Sequence, residues 1–451
     1  MTTYPLAAPI PTWTDRWSGE PGGVVVLDLG MQPPSDLFPA PDDPLPDPAY
    51  RLRMVMSTVS GLVQLEDDPT GPERPLGVEP AALVRQAGLC VADAATAGYL
   101  RPGTTVRECP SPHGGSWRSL LTARGAVEVA DGPVDLVVDV LGMMHDRDQR
   151  AALVERRDML APDGVLLMMI NDVTAIVRNG EWNALRHGHF AYYSTATLVS
   201  MAAQVGLVGI DAWQYPLYGH GTVLVAFART GSRWGGPGPV VTDLVAVQTL
   251  EGIRDPAHVA TLTDALTSSV AAIRSYLDGA RDAGLVVAGY GAASRTSALL
   301  VSAGITRADL TGIADASPGK QGRTMPGSRI PIWSPEHLVH SRPDRVLLFV
   351  PDLLSEVRAA YPQIEADGAR WVVMDPDPRE VAPSRDQSIH TGEVRELRVG
   401  VERADDASGL GSVGGDDEVV GATGLAGVTG VREQPTVLDS SSFGVVEDSD
   451  G

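Results

Sequence analysis

The run Gly289-Tyr290-Gly291-Ala292-Ala293-Ser294-Arg295 decides the reading of this chain. It follows an apolar stretch of strand type, residues 285–289, and leads into residues 295–303, whose apolar spacing is helical. Glycines at a strand-to-helix junction let backbone approach an anion, and the helix start supplies free N–H groups. Equally, such glycines serve close packing of helix on strand. Outward from this junction, residues 311–314, 346–350 and 371–374 read as further buried strands and 353–361 as a helix. Between them stand Asp315-Ala316-Ser317-Pro318-Gly319-Lys320-Gln321-Gly322-Arg323, Met325-Pro326-Gly327 and Ile330-Pro331-Ile332. Strands alternating with helices predict a parallel sheet wound with helices.

The same alternation occurs upstream. Residues 105–109, 134–140, 165–170 and 219–228 read as strands, and 79–99, 117–124, 149–160 and 196–205 as helices. Pro162-Asp163-Gly164 reads as a turn. A Gly/Pro linker at 231–239 precedes a long amphipathic helix or helix pair at 255–283. Residues 1–75 are rich in Pro and Gly and hold two short strand candidates, 24–29 and 62–66, around a Pro-punctuated loop at 32–48. Beyond about Pro383 the apolar pattern fades into Gly, Ser, Asp and Glu, which predicts a disordered acidic tail. The expected class is α/β: a small N-terminal domain (1–75), two doubly wound domains (76–232 and 240–382) and the tail (383–451).

The chain has 451 residues and a formal net charge of -22. That field repels phosphate backbones and anionic lipid heads, so nucleic acid and membrane surfaces are poor partners. Any anionic substrate needs a local basic pocket. Only two cysteines, Cys90 and Cys109, are present, which excludes a disulfide scaffold and an all-cysteine zinc site. No basic segment followed by an apolar run opens the chain, and no apolar stretch approaches the ~20 residues of a membrane span. The expected location is cytoplasmic.

The succession from residue 284 to 376 resembles the C-terminal domain of the three-domain sugar C-methyltransferases of deoxysugar biosynthesis. There a Gly-Tyr-Gly-Ala loop, an Asp-x-x-Pro-x-Lys-x-Gly turn and a Pro-Gly-x-x-Ile-Pro-Ile strand follow in this order. Leu27-Asp28-Leu29-Gly30-Met31-Gln32-Pro33 and Gly61-Leu62-Val63-Gln64-Leu65 are similar to parts of the family's zinc-binding domain. The resemblance implies two Rossmann-like domains behind that small domain. Its Cys-x-x-Cys pairs fall near Asp15 and Ser18, and on Ser57 and Ser60. Hydroxyls cannot replace thiolates around zinc, so a fold without zinc, and with no metal site, is expected.

The resemblance also implies site residues. Glu108, Ser111 and Gly114 match the loop for S-adenosylmethionine (SAM), with Glu128 as a candidate for its ribose and His145 matching a His-x-x-Asp. The family's Asn-Asn falls on Val140-Leu141, and the gap after residue 124 is too short for its full adenine wall. The family's Tyr-His-Glu-His followed by an aromatic pair is here Arg186-His187-Gly188-His189, with Tyr192 beyond. His189 then takes the place of the base that removes a proton alpha to the sugar keto group, with His187 and Tyr192 beside it. A neutral imidazole suits that task near pH 7. His220, Gly291, Arg295, Lys320, Gly322 and Arg323 are the candidates for a nucleotide-sugar substrate. Two readings stay open: a SAM-dependent C-methyltransferase acting on a nucleotide-linked keto-deoxysugar, and a non-methylating relative that binds such a sugar or a partner enzyme. A nicotinamide oxidoreductase fits poorly, because the third fingerprint glycine is Ser294.

Overall fold

Three sheets organise the chain, and the computed structural model describes residues 13–70, 76–112, 115–375 and 377–383. Gly114 and the acidic tail lie outside the described residues. The described residues belong to one compact unit, residues 1–387.

In chain order, β1 (Gly23–Gln32), β2 (Tyr50–Ser57) and β3 (Val63–Leu65) pair antiparallel. The second of these falls between the two strand candidates and beyond the loop expected at 32–48. Arg51 and Arg53 alternate there with Leu52 and Met54, and the two arginines reach Asp28 at 2.5 Å and Glu66 at 2.6 Å on the neighbouring segments. At the positions where the resemblance puts metal ligands, the side chains close hydrogen-bonded turns. Asp15 accepts from Trp17 N at 3.0 Å and Ser18 Oγ at 2.8 Å, and Ser57 Oγ accepts from Val59 N and Ser60 N at 3.0 and 3.1 Å.

The middle sheet begins with β4 (Thr105–Cys109), β5 (Val127–Glu128), β6 (Val134–Val140) and β7 (Leu160–Asn171), all parallel. Asp148 caps the helix Gln149–Asp158 by accepting from Ala151 N, which explains the abrupt start of that helix. The expected turn at Pro162-Asp163-Gly164 is instead part of β7. Pairing jumps from Val134↔Leu160 to Leu136↔Val165, so the extra residues leave the ladder as a bulge. Gly164 permits this: a Cβ there would lie 2.7 Å from the Val134 carbonyl.

Next comes β8 (Ala191–Tyr192), which leaves the middle sheet and pairs with β3, giving the N-terminal sheet the order β1-β2-β3-β8. The chain then returns. β9 (Leu207–Tyr215) and β10 (Thr222–Arg229) complete a six-stranded sheet of order β5-β4-β6-β7-β10-β9, the last two antiparallel to their neighbours. Buried apolar clusters cover both of its faces.

The expected linker ends on a further helix, Pro239–Leu250, and the helix pair is Pro256–Val259 and Leu262–Asp282. The third sheet holds β11 (Val287–Tyr290), β12 (Ile313–Ala314), β13 (Ile332–Trp333), β14 (Arg345–Leu348), β15 (Arg370–Asp375) and β16 (Asp377–Glu380) in the order β13-β12-β11-β14-β15-β16. All are parallel except β16. The α/β class with two wound sheets behind a small third one is therefore the observed architecture. No helix among the described residues is long and apolar enough to cross a membrane.

Candidate functional site

Doubly wound sheets bind ligands outside the carboxyl ends of their strands. Here the middle and C-terminal sheets turn those ends toward one cleft of ≈ 580 Å³. Ser111, Trp117, Val140, Leu141 and Met169 line it from the middle sheet. Ser294, Arg295, Lys320 and Phe349 line it from the C-terminal one, and Arg186, His189 and Tyr192 stand between.

The loop 184–190 is built to hold His189. Tyr192 Oη accepts from Arg186 N at 3.1 Å, Phe190 N donates to Met144 O at 2.7 Å, and Gly188 N donates to Asp68 Oδ2 at 2.6 Å. Gly188 has φ 88°, a conformation that disfavours the glutamate expected from the family pattern. Its carbonyl accepts from His145 Nδ1 at 2.9 Å. A carbonyl can only accept, so the proton of neutral His145 sits on Nδ1. Burial first, then the Arg186 guanidinium, pull the pKa of His145 down to about 4, opposed by that hydrogen bond. The His145 ring stands edge-on to His189, centroids 4.9 Å apart. Arg186 Nε donates to His189 Nε2 at 2.7 Å, so this nitrogen carries a lone pair and no proton. Arg186 Nη1 also donates to Ser294 Oγ, at the first residue of the helix Ser294–Ser302.

A buried ion pair supports the turn that carries His145. Asp139, at the end of β6, accepts from Arg156 Nε at 2.5 Å and from the backbone N–H groups of Gly142 and Met143 at 2.8 and 3.2 Å. Both partners are almost fully buried. Between them and the cleft, Leu141 sits at φ 57°, an uncommon conformation for a side-chain-bearing residue and one that asparagine tolerates better.

The expected residues divide. His189, Tyr192, Ser111, Arg295 and Lys320 meet in the cleft, with His145 behind His189. His187 does not join them: it is buried edge-on to Tyr50, where burial lowers its pKa against the pull of Asp68 and the Arg51 and Pro33 carbonyls. Glu108 is engaged within its own loop, accepting from Ser116 Oγ at 2.5 Å and Trp117 N at 2.6 Å. Glu128 pairs with Arg118 at 2.5 Å, opposite Val106 rather than near the strand end at Cys109. His220 is exposed at the surface with φ 64°. Gly291 is needed for packing, since a Cβ would lie 2.9 Å from Val350 Cγ2. Gly322 faces open space, and Arg323 bonds to the Gly319 and Phe38 carbonyls.

The cleft's cations are pre-paired. Arg295 meets Glu181 at 2.5 Å, and Lys320 meets Asp315 at 3.3 Å and the Ala292 carbonyl at 3.0 Å. Sequence reasoning passed over two residues. Arg186 stood in the quoted run but had no visible partner, and Glu79 preceded a helix without a motif of its own. The Glu79 carboxyl packs against Gly115, where a Cβ would be 2.7 Å from Oε1, and burial raises its pKa. For SAM, the residues present fit a pocket with apolar walls at Trp117, Val140, Leu141 and Met169. Glu79, rather than Glu128, is the carboxylate lining it beside Gly115. Among the described residues no cluster of three or more His, Cys, Asp or Glu could hold a metal ion.

Several known proteins are similar to parts of this chain. Among solved structures, N-methyltransferase NodS from Bradyrhizobium japonicum WM9 is similar with a TM-score of 0.25 at 13% identity, over 34% of this chain and 99% of that one. The 1,6-didemethyltoxoflavin-N1-methyltransferase of Burkholderia thailandensis is similar with a TM-score of 0.23 at 15% identity, over 33% and 79%. C-methyltransferase NovU of Streptomyces niveus is 30% identical over 224 residues, 50% of this chain. The chain covers 53% of that relative's length. Residues 218–376 match the family described as the C-methyltransferase C-terminal domain, so over part of its length the chain is similar to C-methyltransferases.

Proposed function

We propose that the protein is a SAM-dependent C-methyltransferase acting beside the keto group of a nucleotide-linked deoxysugar. The observation that carries this reading is the position of His189. His189 lines the cleft at the carboxyl ends of the two wound sheets, and its unprotonated Nε2 accepts from Arg186 Nε. SAM, when bound, supplies an electrophilic methyl group. Trp117, Val140, Leu141 and Met169 would hold it in an apolar wall and exclude water, with Glu79 as hydrogen-bond acceptor. Ser294 at its helix start, Arg295 and Lys320 would receive the diphosphate. His189 Nε2 takes the proton from the carbon next to the keto group.

The second reading, a non-methylating sugar-binding relative, draws on Glu128, which is withheld from the cleft by Arg118. Calorimetry separates the two, with SAM and a dTDP-linked 4-keto-6-deoxyhexose titrated separately into the protein. Binding of both, followed by gain of one methyl group on the sugar by mass spectrometry, is expected. Sugar binding with no SAM binding at millimolar concentration would overturn methyl transfer and favour the second reading. The proposed setting is the cytoplasm.

A further inference from the structure

We infer that Arg186 is a catalytic residue that holds the oxygen of the substrate's enolate. The inference deepens the proposed function and rests on it. Removing a proton alpha to a ketone leaves negative charge on the carbonyl oxygen, and that charge needs a donor in place before the bond breaks. His189 alone supplies none.

The geometry provides one. Arg186 Nε lies 2.7 Å from His189 Nε2, the atom that must receive the proton. In a ketone the alpha hydrogen and the carbonyl oxygen are neighbours across one carbon–carbon bond. A donor and an acceptor in direct contact therefore match the two ends of that unit. In this structure the donor and the acceptor are bonded to one another. With substrate between them, the keto oxygen replaces Nε2 as acceptor of the Arg186 N–H. The lone pair of Nε2 is then free to take the proton. The C–H bond breaks, its electron pair becomes the new C=C bond, and the carbonyl π pair moves onto the oxygen held by the guanidinium.

Two anchors keep Arg186 there. Its backbone N–H donates to Tyr192 Oη at 3.1 Å, fixing the start of the side chain. Its Nη1 bonds to Ser294 Oγ, at the first residue of the helix Ser294–Ser302, and both residues line the cleft. A guanidinium stays protonated throughout, so it stabilises charge without competing for the proton.

The test is exchange of solvent deuterium into the sugar carbon beside the keto group, followed by NMR without SAM. The probe is the dTDP-linked 4-keto-6-deoxyhexose. Arg186→Met should slow exchange at least about 10²-fold, the typical loss of one oxyanion donor. Arg186→Lys should recover part of it, and the sugar affinity of both variants should stay within about threefold by calorimetry. Exchange in Arg186→Met as fast as in the wild type, with His189→Ala slow, overturns the role of Arg186 and leaves the proposed function standing. No exchange in the wild type overturns both. Near-ultraviolet circular dichroism of Arg186→Met matching the wild type separates lost chemistry from lost folding; if it differs, Arg186→Gln, which removes the charge but keeps a neutral donor, replaces it and must still slow exchange, by less than the loss expected for Arg186→Met, and wild-type exchange in it overturns the role of Arg186.

Discussion

The middle and C-terminal sheets open onto the same cleft, yet they line it in opposite ways. The middle sheet offers it a shaped backbone and mostly apolar side chains. Leu141 still adopts φ 57° where asparagine would be at ease, and Glu108 still braces the loop after β4. The C-terminal side lines it with charged side chains, among them Arg295, which stands against Glu181, and Lys320, which stands against Asp315. Shape without polarity suits an apolar ligand surface. Paired charge suits a site that holds its donors in position before an anion arrives, at the cost of displacing the partner carboxylates. One cleft thus joins a wall that recognises by contact to a wall that recognises by charge.

The comparison breaks first at the residue between the walls. If His189 serves both sides, His189→Ala should cut methyl transfer by ~10²–10⁴-fold while SAM affinity changes little, because the base acts on the sugar. Steady-state rates and calorimetry check this, and unchanged turnover removes His189 from the chemistry. The shape-keeping of the middle sheet is tested at Asp139. Arg156→Met strands that carboxylate in the interior and should cost about 3–5 kcal/mol in denaturant unfolding. A cost under about 1 kcal/mol would mean that the pair does not hold the turn 140–145. The charge-keeping of the C-terminal sheet is tested by the double variant Arg295→Ala, Lys320→Ala. Nucleotide-sugar affinity should fall at least about tenfold, with a salt dependence in the wild type that the variant loses. Equal affinities would assign both cations to structure alone.

A pH effect concerns His145. Its pKa is about 4 in the folded protein against an ordinary value of 6.5. Between those values the unfolded chain binds a proton that the folded one does not. Stability contributed by this group therefore rises with pH across that window, by at most about 1.4 kcal/mol per pH unit, and levels off above it. His145→Gln should flatten the stability curve between about pH 4 and 6.5. An unchanged slope would show that the ring is more hydrated than its surroundings imply.

Much of this was legible in the sequence, for physical reasons. Strands buried on both faces write themselves as apolar runs, so β6 stands where its residues predicted. Tyr50–Ser57 was overlooked although its alternation was present, because proline-rich neighbours gave the whole region the look of a loop. The half-buried edge strand β9 carries Gly209 and Asp211 within its span and has no continuous apolar signal. Of the candidate site, sequence located His189 and the C-terminal cations. It could not locate Arg186 or Glu79, because their meaning lies in contacts with His189 and Gly115 that exist only after folding.

The two residues of β8 have a consequence for how the molecule comes into being. Leaving a ribosome, β1, β2 and β3 emerge early, but the outer edge of β3 has no neighbour until Ala191 and Tyr192 are made. During that interval it is an unpaired edge of the kind that invites association between nascent chains. The strand that ends the wait also delivers Tyr192 beneath the loop of His189. The loop of His189 can be set only when the sheet of β1, β2 and β3 is finished, so a partly assembled molecule leaves the proposed base without its support.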